Sequence, residues 1–237
     1  MLVRHGQSTT NASGVFTGWL DVSLTARGRA EAVRAGRVLA GLGVAPDVVY
    51  TSTLARTATT ARLVLAQQAG RPPVRPDGRL DERHYGALTG RLKQAVLEEV
   101  GRQRFDDWRN SLSAAPPPLT AEGLRGLARA GWPTDRLLST GVLTESLGDV
   151  VARVVPFWEE VLAPGLVAGR TVLVVAHGNS LRALLVFLDR LTQDELSARR
   201  LPTGLPLRYR FTDALRPLAR GGEVLGPAPV EDGGGVL

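Results

Sequence analysis

The sequence predicts an α/β fold: a three-layer sandwich whose mostly parallel central sheet is flanked by helices, with a helical and irregular insertion over a candidate site. Three observations predict it. Short apolar runs at Leu2-Val3, Asp47-Val48-Val49-Tyr50 and Thr171 to Ala176 are β-branched and bounded by turn or polar residues, as buried parallel strands are. Longer segments of helical period separate them, so strand and helix alternate. A short pattern, His-Gly-x-Ser, occurs as His5-Gly6-Gln7-Ser8 and again as His177-Gly178-Asn179-Ser180, each copy directly after a predicted strand.

The elements follow in order. Thr25 is a plausible helix cap and Gly43 a stop, which predicts a helix from Thr25 to about Leu42. Leu54, Ala58, Ala61 and Leu65 recur at helical spacing before Gly70 and predict the next one. Ser146 followed by Asp149 resembles a capping box opening a helix that carries Val150, Val151, Val154, Phe157, Trp158 and Val161, with Pro156 expected to bend it. From Ala114-Ala-Pro-Pro-Pro118 to Thr144 no strong period appears. That stretch reads as irregular, within an insertion spanning about residues 91–145, and not as a second domain. Residues 1–220 are therefore expected to form a single domain, and Gly221 to Leu237, rich in Gly and Pro, a flexible tail.

The 237 residues, 43% of them hydrophobic, can bury a substantial core. The absence of cysteine excludes disulfides, zinc-cysteine sites and thiol catalysis. No signal peptide and no membrane-spanning run is visible, so a soluble cytoplasmic protein is expected. The formal charge of +6 is spread among acidic residues along the whole chain, and 28 of the 29 basic residues are arginine, Lys93 being the exception. So diffuse an excess argues against a nucleic-acid partner, and an anionic small-molecule site accounts for it as well.

In a parallel sheet the carboxyl ends of the strands open on one edge, so His5 and His177 can face a shared crevice. Gly6 and Gly178 would let backbone approach a ligand, and a helix after Asn179 would aim free N–H groups at an anion. His84, inside Glu82-Arg83-His84-Tyr85-Gly86, fits a structural or supporting role better. Neither His-Gly copy has the ligand spacing of a metal site, so metal catalysis is not expected. The Gly-x-Ser-x-Gly elbow of a serine hydrolase is missing too, which leaves histidine as the nucleophile.

Leu2-Val-Arg-His-Gly-Gln-Ser8 together with Ala176-His-Gly-Asn-Ser-Leu-Arg-Ala183 resembles the histidine phosphatase superfamily. Phe16-Thr-Gly-Trp-Leu-Asp21, Tyr50-Thr-Ser-Thr-Leu-Ala-Arg56, Leu80-Asp-Glu-Arg-His-Tyr-Gly-Ala-Leu-Thr-Gly90 and Leu201-Pro-Thr-Gly-Leu-Pro206 are similar to its phosphoglycerate mutase branch, in that order. The resemblance implies that His5 carries a phosphoryl group between the 3- and 2-positions of a glycerate, primed by 2,3-bisphosphoglycerate and without a metal. It implies catalytic roles for Arg4, Arg56 and His177 in stabilising charge, and for Glu82 as general acid and base. Arg4, Arg56 and Glu82 would also touch the substrate, a small phosphorylated carboxylic acid. Further substrate contacts are implied for Asn11, Thr17, Gly18, Arg83 and Tyr85, and for Lys93, Arg109, Gly178 and Asn179. A homodimer is left open.

The match has gaps. Asn110 stands in the substrate-binding set where the family usually has a second arginine after Trp108-Arg109, so one positive charge is missing near the distal end of the substrate. Gln7 replaces a commoner glutamate, and Pro133-Thr-Asp-Arg136 stands in place of an Asp-Pro-Arg-Tyr segment. The first strand has only three residues before Arg4, and a start site upstream is expected. Two other readings compete. A phosphatase would transfer the phosphoryl group from the same histidine to water, and a basic binding protein on a degenerate enzyme fold would not transfer it at all.

Overall fold

The computed structural model describes residues 1–137 and 141–226. Its sheet is built from β1 (Leu2–Arg4), β2 (Val48–Thr51), β3 (Val74–Pro76), β4 (Val172–Ala176), β5 (Pro206–Arg208) and β6 (Glu223–Val224), in the spatial order β3-β2-β4-β1-β5-β6. The first four strands are parallel; β5 and β6 extend the β1 edge in antiparallel pairing. β4 is buried along its whole length, as expected of a strand covered on both faces.

Alternation of side chains assigns each strand residue to one of two cores. Val172, Val174 and Ala176 pack with Leu2, Val48 and Tyr50 against α6 (Leu147–Phe157) and α8 (Gly178–Asp189). Leu173 and Val175 pack with Val3 and Val49 against α2 (Ala26–Gly41) and α3 (Ala55–Leu65). Two helical layers thus enclose the sheet, and each fully buried aliphatic side chain contributes about 1.5–3 kcal/mol.

The predicted helix ends are present. The Thr25 side chain accepts from the Gly28 N–H at 3.0 Å, and Gly43 follows α2 at φ +64°. At the start of α6, the Asp149 N–H donates to Ser146 Oγ and the Ser146 N–H to Asp149 Oδ2. Pro156 does not end the helix. The ladder passes into a π register over Trp158–Leu162 before α7 (Ala163–Val167), a wider turn next to the place where proline removes a donor.

Three expectations need correction. α3 exists, but Ala58 is exposed, and the buried face runs through Arg56, Thr57, Thr60, Ala61 and Val64. That face is partly polar because Thr60 Oγ1 accepts from the Gly6 N–H at 3.1 Å, beside His5. Within the stretch read as irregular, α5 (Ala121–Arg129) is capped by Thr120 Oγ1, and its Leu127 joins Trp19, Leu20 and Leu137 in a satellite core. A nine-residue helix shows too little of its period to stand out from sequence. Finally, the segment assigned to a tail begins as structure: β6 pairs with β5, Arg208 bonds Glu223 at 2.7 Å, and Leu225 is buried against the α2 face. Residues 227–237 lie outside the described residues.

The rest of the insertion is α4 (Lys93–Asn110), broken at Gly101 where φ is +77°. Arg136 secures this region to the body, donating to the Thr53 carbonyl at 2.9 Å. Two short helices, α1 (Thr9–Ala12) and α9 (Gln193–Ala198), complete the elements used below. Among the described residues no helix is long and apolar enough to cross a membrane.

Leu173→Ala should lower the unfolding free energy by about 2–5 kcal/mol in chemical denaturation, through lost burial and an unfilled cavity. Ala58→Ser, on the exposed face of α3, should change it by less than about 0.5 kcal/mol.

Candidate active site

The register Arg4↔Ala176 brings the chain out of β1 and β4 at the same level, and the His5 N–H donates to the Ala176 carbonyl at 3.0 Å. The two imidazoles consequently meet edge to face, centroids 4.9 Å apart. His5 is buried, with Nδ1 2.8 Å from the Gly6 carbonyl oxygen. A carbonyl can only accept, so Nδ1 carries the proton and Nε2 keeps its lone pair. His177 is fully buried, with Nε2 2.7 Å from Ser52 Oγ and Nδ1 without a protein partner. Burial, and next the Arg56 charge, hold both rings well below the usual histidine range. Both are therefore neutral at neutral pH.

The role expected of Gly6 is different in the structure. A Cβ there would lie 2.0 Å from the Gly28 carbonyl oxygen, so glycine is required by close packing on α2, not by approach to a ligand. Gly178 lines the cavity beside the Arg4 side chain, and α8 starts two residues earlier than expected. One N–H of its first turn is engaged: Asn179 N–H donates to Glu82 Oε1 at 3.3 Å.

Glu82 Oε1 also accepts from the Arg83 N–H at 2.8 Å and from Asn179 Nδ2 at 3.0 Å, while Oε2 accepts nothing among the described residues. Asn179 Nδ2 reaches the Tyr85 hydroxyl as well, at 2.9 Å. The Glu82 carbonyl is held by the Trp19 indole and by Arg153, which pairs with Glu145 at 2.7 Å. The carboxylate is thus fixed through one oxygen and open at the other.

Arg56 is 1% exposed, and its two terminal nitrogens donate to the Leu20 and Gly18 carbonyls, both at 2.8 Å. Burial brings its pKa down to about 10, which leaves it charged at neutral pH. Arg4 donates to the Leu201 carbonyl at 2.8 Å, and its Nε has no partner. Thr17 lines the cavity with its hydroxyl 2.6 Å from that of Thr10; Asn11 lines it while capping α1 through Oδ1. Tyr85, Lys93 and Arg109 complete the predicted residues found on its walls, the last two delivered by α4.

Four predicted residues do not line the cavity: Gly18, Arg83, Asn110 and His177. Gly18 shapes the loop at φ +52° and receives Arg56. Arg83 is fully buried, stacked 4.7 Å from the Tyr85 ring centre. Asn110 Oδ1 accepts from Arg182 at 3.0 Å. His177 lies directly behind His5. His84 is structural, as expected: fully buried, edge-on to Trp19, its Nδ1 accepting from the Gly86 N–H.

Sequence reasoning missed Ser52, Arg182, Arg199, Arg200 and Leu201. Arg182 was legible as one helical turn beyond Asn179, and Arg199-Arg200 as a basic pair next to Leu201-Pro-Thr-Gly204. Ser52 lies in the Tyr50-to-Arg56 segment, where nothing local marked it as a partner of His177. Among the described lining residues Glu82 is the sole carboxylate, set against Arg4, Arg56, Lys93 and Arg109, with Arg182, Arg199 and Arg200 beyond. Such a cavity can bind an anion carrying more than one charge. No cluster among the described residues could hold a metal ion.

Burial, then Arg109 and Arg4, bring Lys93 down to about 8. Its charge is lost as pH rises through that value, so kcat/KM for an anionic substrate should fall above about pH 8. Lys93→Arg, which stays protonated, should flatten that limb of the profile. For the histidines, the folded state binds fewer protons than the unfolded chain below about pH 6.5. Stability should therefore fall as pH drops from 6.5, and His5→Asn should remove up to about 1.4 kcal/mol per pH unit of that loss, read by denaturant melts at pH 7.5 and 5.5.

A family profile of the histidine phosphatase superfamily (branch 1) matches residues 1–131 and 127–213. The chain is 48% identical to the 2,3-bisphosphoglycerate-dependent phosphoglycerate mutase of Mycobacterium tuberculosis (strain ATCC 25618 / H37Rv), over 96% of this chain and 91% of that protein. It is 45% identical to the protein of the same name from Nocardioides sp., over 96% and 92%. Among solved structures, mycobacterial glucosyl-3-phosphoglycerate phosphatase complexed with VO3 superimposes with a TM-score of 0.69 at 26% identity, covering 96% of this chain and 98% of that one. Bacillus stearothermophilus YhfR, at 24% identity and a TM-score of 0.70 over 94% of each chain, shares the fold. The chain belongs to the histidine phosphatase superfamily, in the family of the phosphoglycerate mutases.

Proposed function

We propose that this enzyme interconverts 3-phosphoglycerate and 2-phosphoglycerate through a phosphohistidine at His5, primed by 2,3-bisphosphoglycerate. The observation that carries the reading is His5 itself. It is a neutral imidazole with Nε2 unprotonated, in one cavity with Arg4, Arg56 and a half-open carboxylate. The 48% identity to named mutases over nearly the whole chain supports the substrate assignment.

The cavity fits the bisphosphorylated primer in charge, and Arg4 Nε and His177 Nδ1 are polar atoms buried without a protein partner. When bound, the primer supplies the phosphoryl group that charges the enzyme. His5 Nε2 forms the N–P bond as the P–O bond to the glycerate breaks, and Glu82 donates a proton to the departing oxygen. In the return step Glu82 takes the proton of the incoming hydroxyl, a P–O bond forms and the N–P bond breaks. Arg4 and Arg56 stabilise charge on the transferring oxygens, as positioned donors do in phosphoryl transfer, and the neutral His177 behind His5 adds a donor through its unpartnered Nδ1. Asn11, Thr17, Tyr85, Lys93, Arg109, Gly178 and Asn179 hold the phosphorylated acid; Gly18, Arg83 and Asn110 act from behind them.

The place of such a reaction is glycolysis and gluconeogenesis, in the cytoplasm. A second reading, hydrolysis of the same phosphohistidine, is favoured by the likeness to glucosyl-3-phosphoglycerate phosphatase. Water exclusion decides between the two, and α4, which brings Lys93 and Arg109 to the cavity walls, favours the mutase.

A coupled assay from 3-phosphoglycerate, run with and without 2,3-bisphosphoglycerate and with phosphate release followed in parallel, tests the proposal. Isomer exchange that depends on the bisphosphate is expected, with acid-labile label on His5; His5→Ala should lower turnover at least 10⁴-fold, on the order of the loss of a covalent nucleophile. Phosphate release without exchange would establish the phosphatase, and absence of label would sink both.

A further inference from the structure

Asn110 deprives the cavity of a cation, yet that end of it is not poor in positive charge. Arg109 comes from α4, Arg182 from α8, and Arg199 with Arg200 from the segment joining α9 to β5. Arg182 is held through its terminal nitrogens, which donate to Asn110 Oδ1 at 3.0 Å, to the Leu196 carbonyl at 2.9 Å and to Asn179 Oδ1 at 3.3 Å, while its buried Nε has no partner among the described residues. Arg200 is exposed and donates no hydrogen bond to any described residue. No described carboxylate forms an ion pair with Arg109, Arg182 or Arg200. Behind them Arg83 is fully buried, its three side-chain nitrogens without an acceptor.

These cations sense one another. After burial, the fields of Arg83 and Arg200 contribute to lowering both Arg109 and Arg182, the latter to about 10. Mutually repelling guanidinium groups without an ion-pair partner store unfavourable energy that a bound anion relieves. The buried and unpartnered nitrogens of Arg83 mark the same place independently.

We propose that Arg200 supplies the charge absent at Asn110 and forms, with Arg109 and Arg182, a second anion subsite for the distal acidic group of the substrate, its carboxylate or second phosphate. The proposal rests on the reading of the substrate as a phosphorylated acid and adds what selects it. The phosphoryl group beside His5 and the distal acidic group are then held by separate sets of residues, so substrates lacking the second group lose affinity.

Calorimetric titration of the full chain with 3-phosphoglycerate, 2,3-bisphosphoglycerate and inorganic phosphate tests it, using wild type, R200A, N110R and R200A/N110R, each checked for unchanged melting. R200A should weaken 3-phosphoglycerate binding by about tenfold to a hundredfold, the loss of a charge-assisted contact, while phosphate affinity stays within about twofold. N110R in the R200A background should restore most of the loss. Equal weakening for all three ligands, or none, would overturn the subsite. The isomerase assay separates this result from the parent reading. A protein that binds 3-phosphoglycerate through Arg200 without exchanging isomers keeps the subsite and loses the mutase. A mutase indifferent to R200A does the reverse.

Discussion

Everything at the site depends on how two parallel strands are aligned. β1 is three residues long, and its pairing with β4 sets Arg4 opposite Ala176. A shift of one residue would turn Leu2 and Val3 to the wrong cores and part the two imidazoles. The same alternation that fills both cores therefore sets the 4.9 Å approach of His5 to His177. Packing and chemistry share one register.

Around that pair the protein spends backbone, not just side chains, on orientation. Gly6 fixes the tautomer of His5, Ser52 holds His177, and the carbonyls of Gly18 and Leu20 hold Arg56. Groups tethered in this way lose little conformational freedom when an anion arrives and need little reorganisation as charge develops. The excess of arginine, diffuse along the sequence, is concentrated by folding into a cavity with one carboxylate on its described walls.

Much of this was legible in the sequence because it follows from local rules. β-branched runs, Thr25 and Ser146 caps, and a repeated His-Gly-x-Ser each carry their own physical signature. What escaped depends on distant partners. Ser52 is recognisable only through His177, and the buried face of α3 only through Thr60 beneath Gly6. α5 is too short to display its period, and β6 exists because β5 offers it an edge. Arg83 sits in a motif that resembles binding residues, yet tertiary packing places it behind Tyr85.

The contact between Gly6 and Gly28 carries a consequence beyond packing. A methyl group at either position would overlap backbone of the other segment at about 2 Å, so helix and nucleophile loop touch main chain to main chain. The setting of the reactive ring is thereby inherited from α2, an element that contributes no residue to the cavity walls. Damage to that helix will present as damage to reactivity, even where the substrate is never touched.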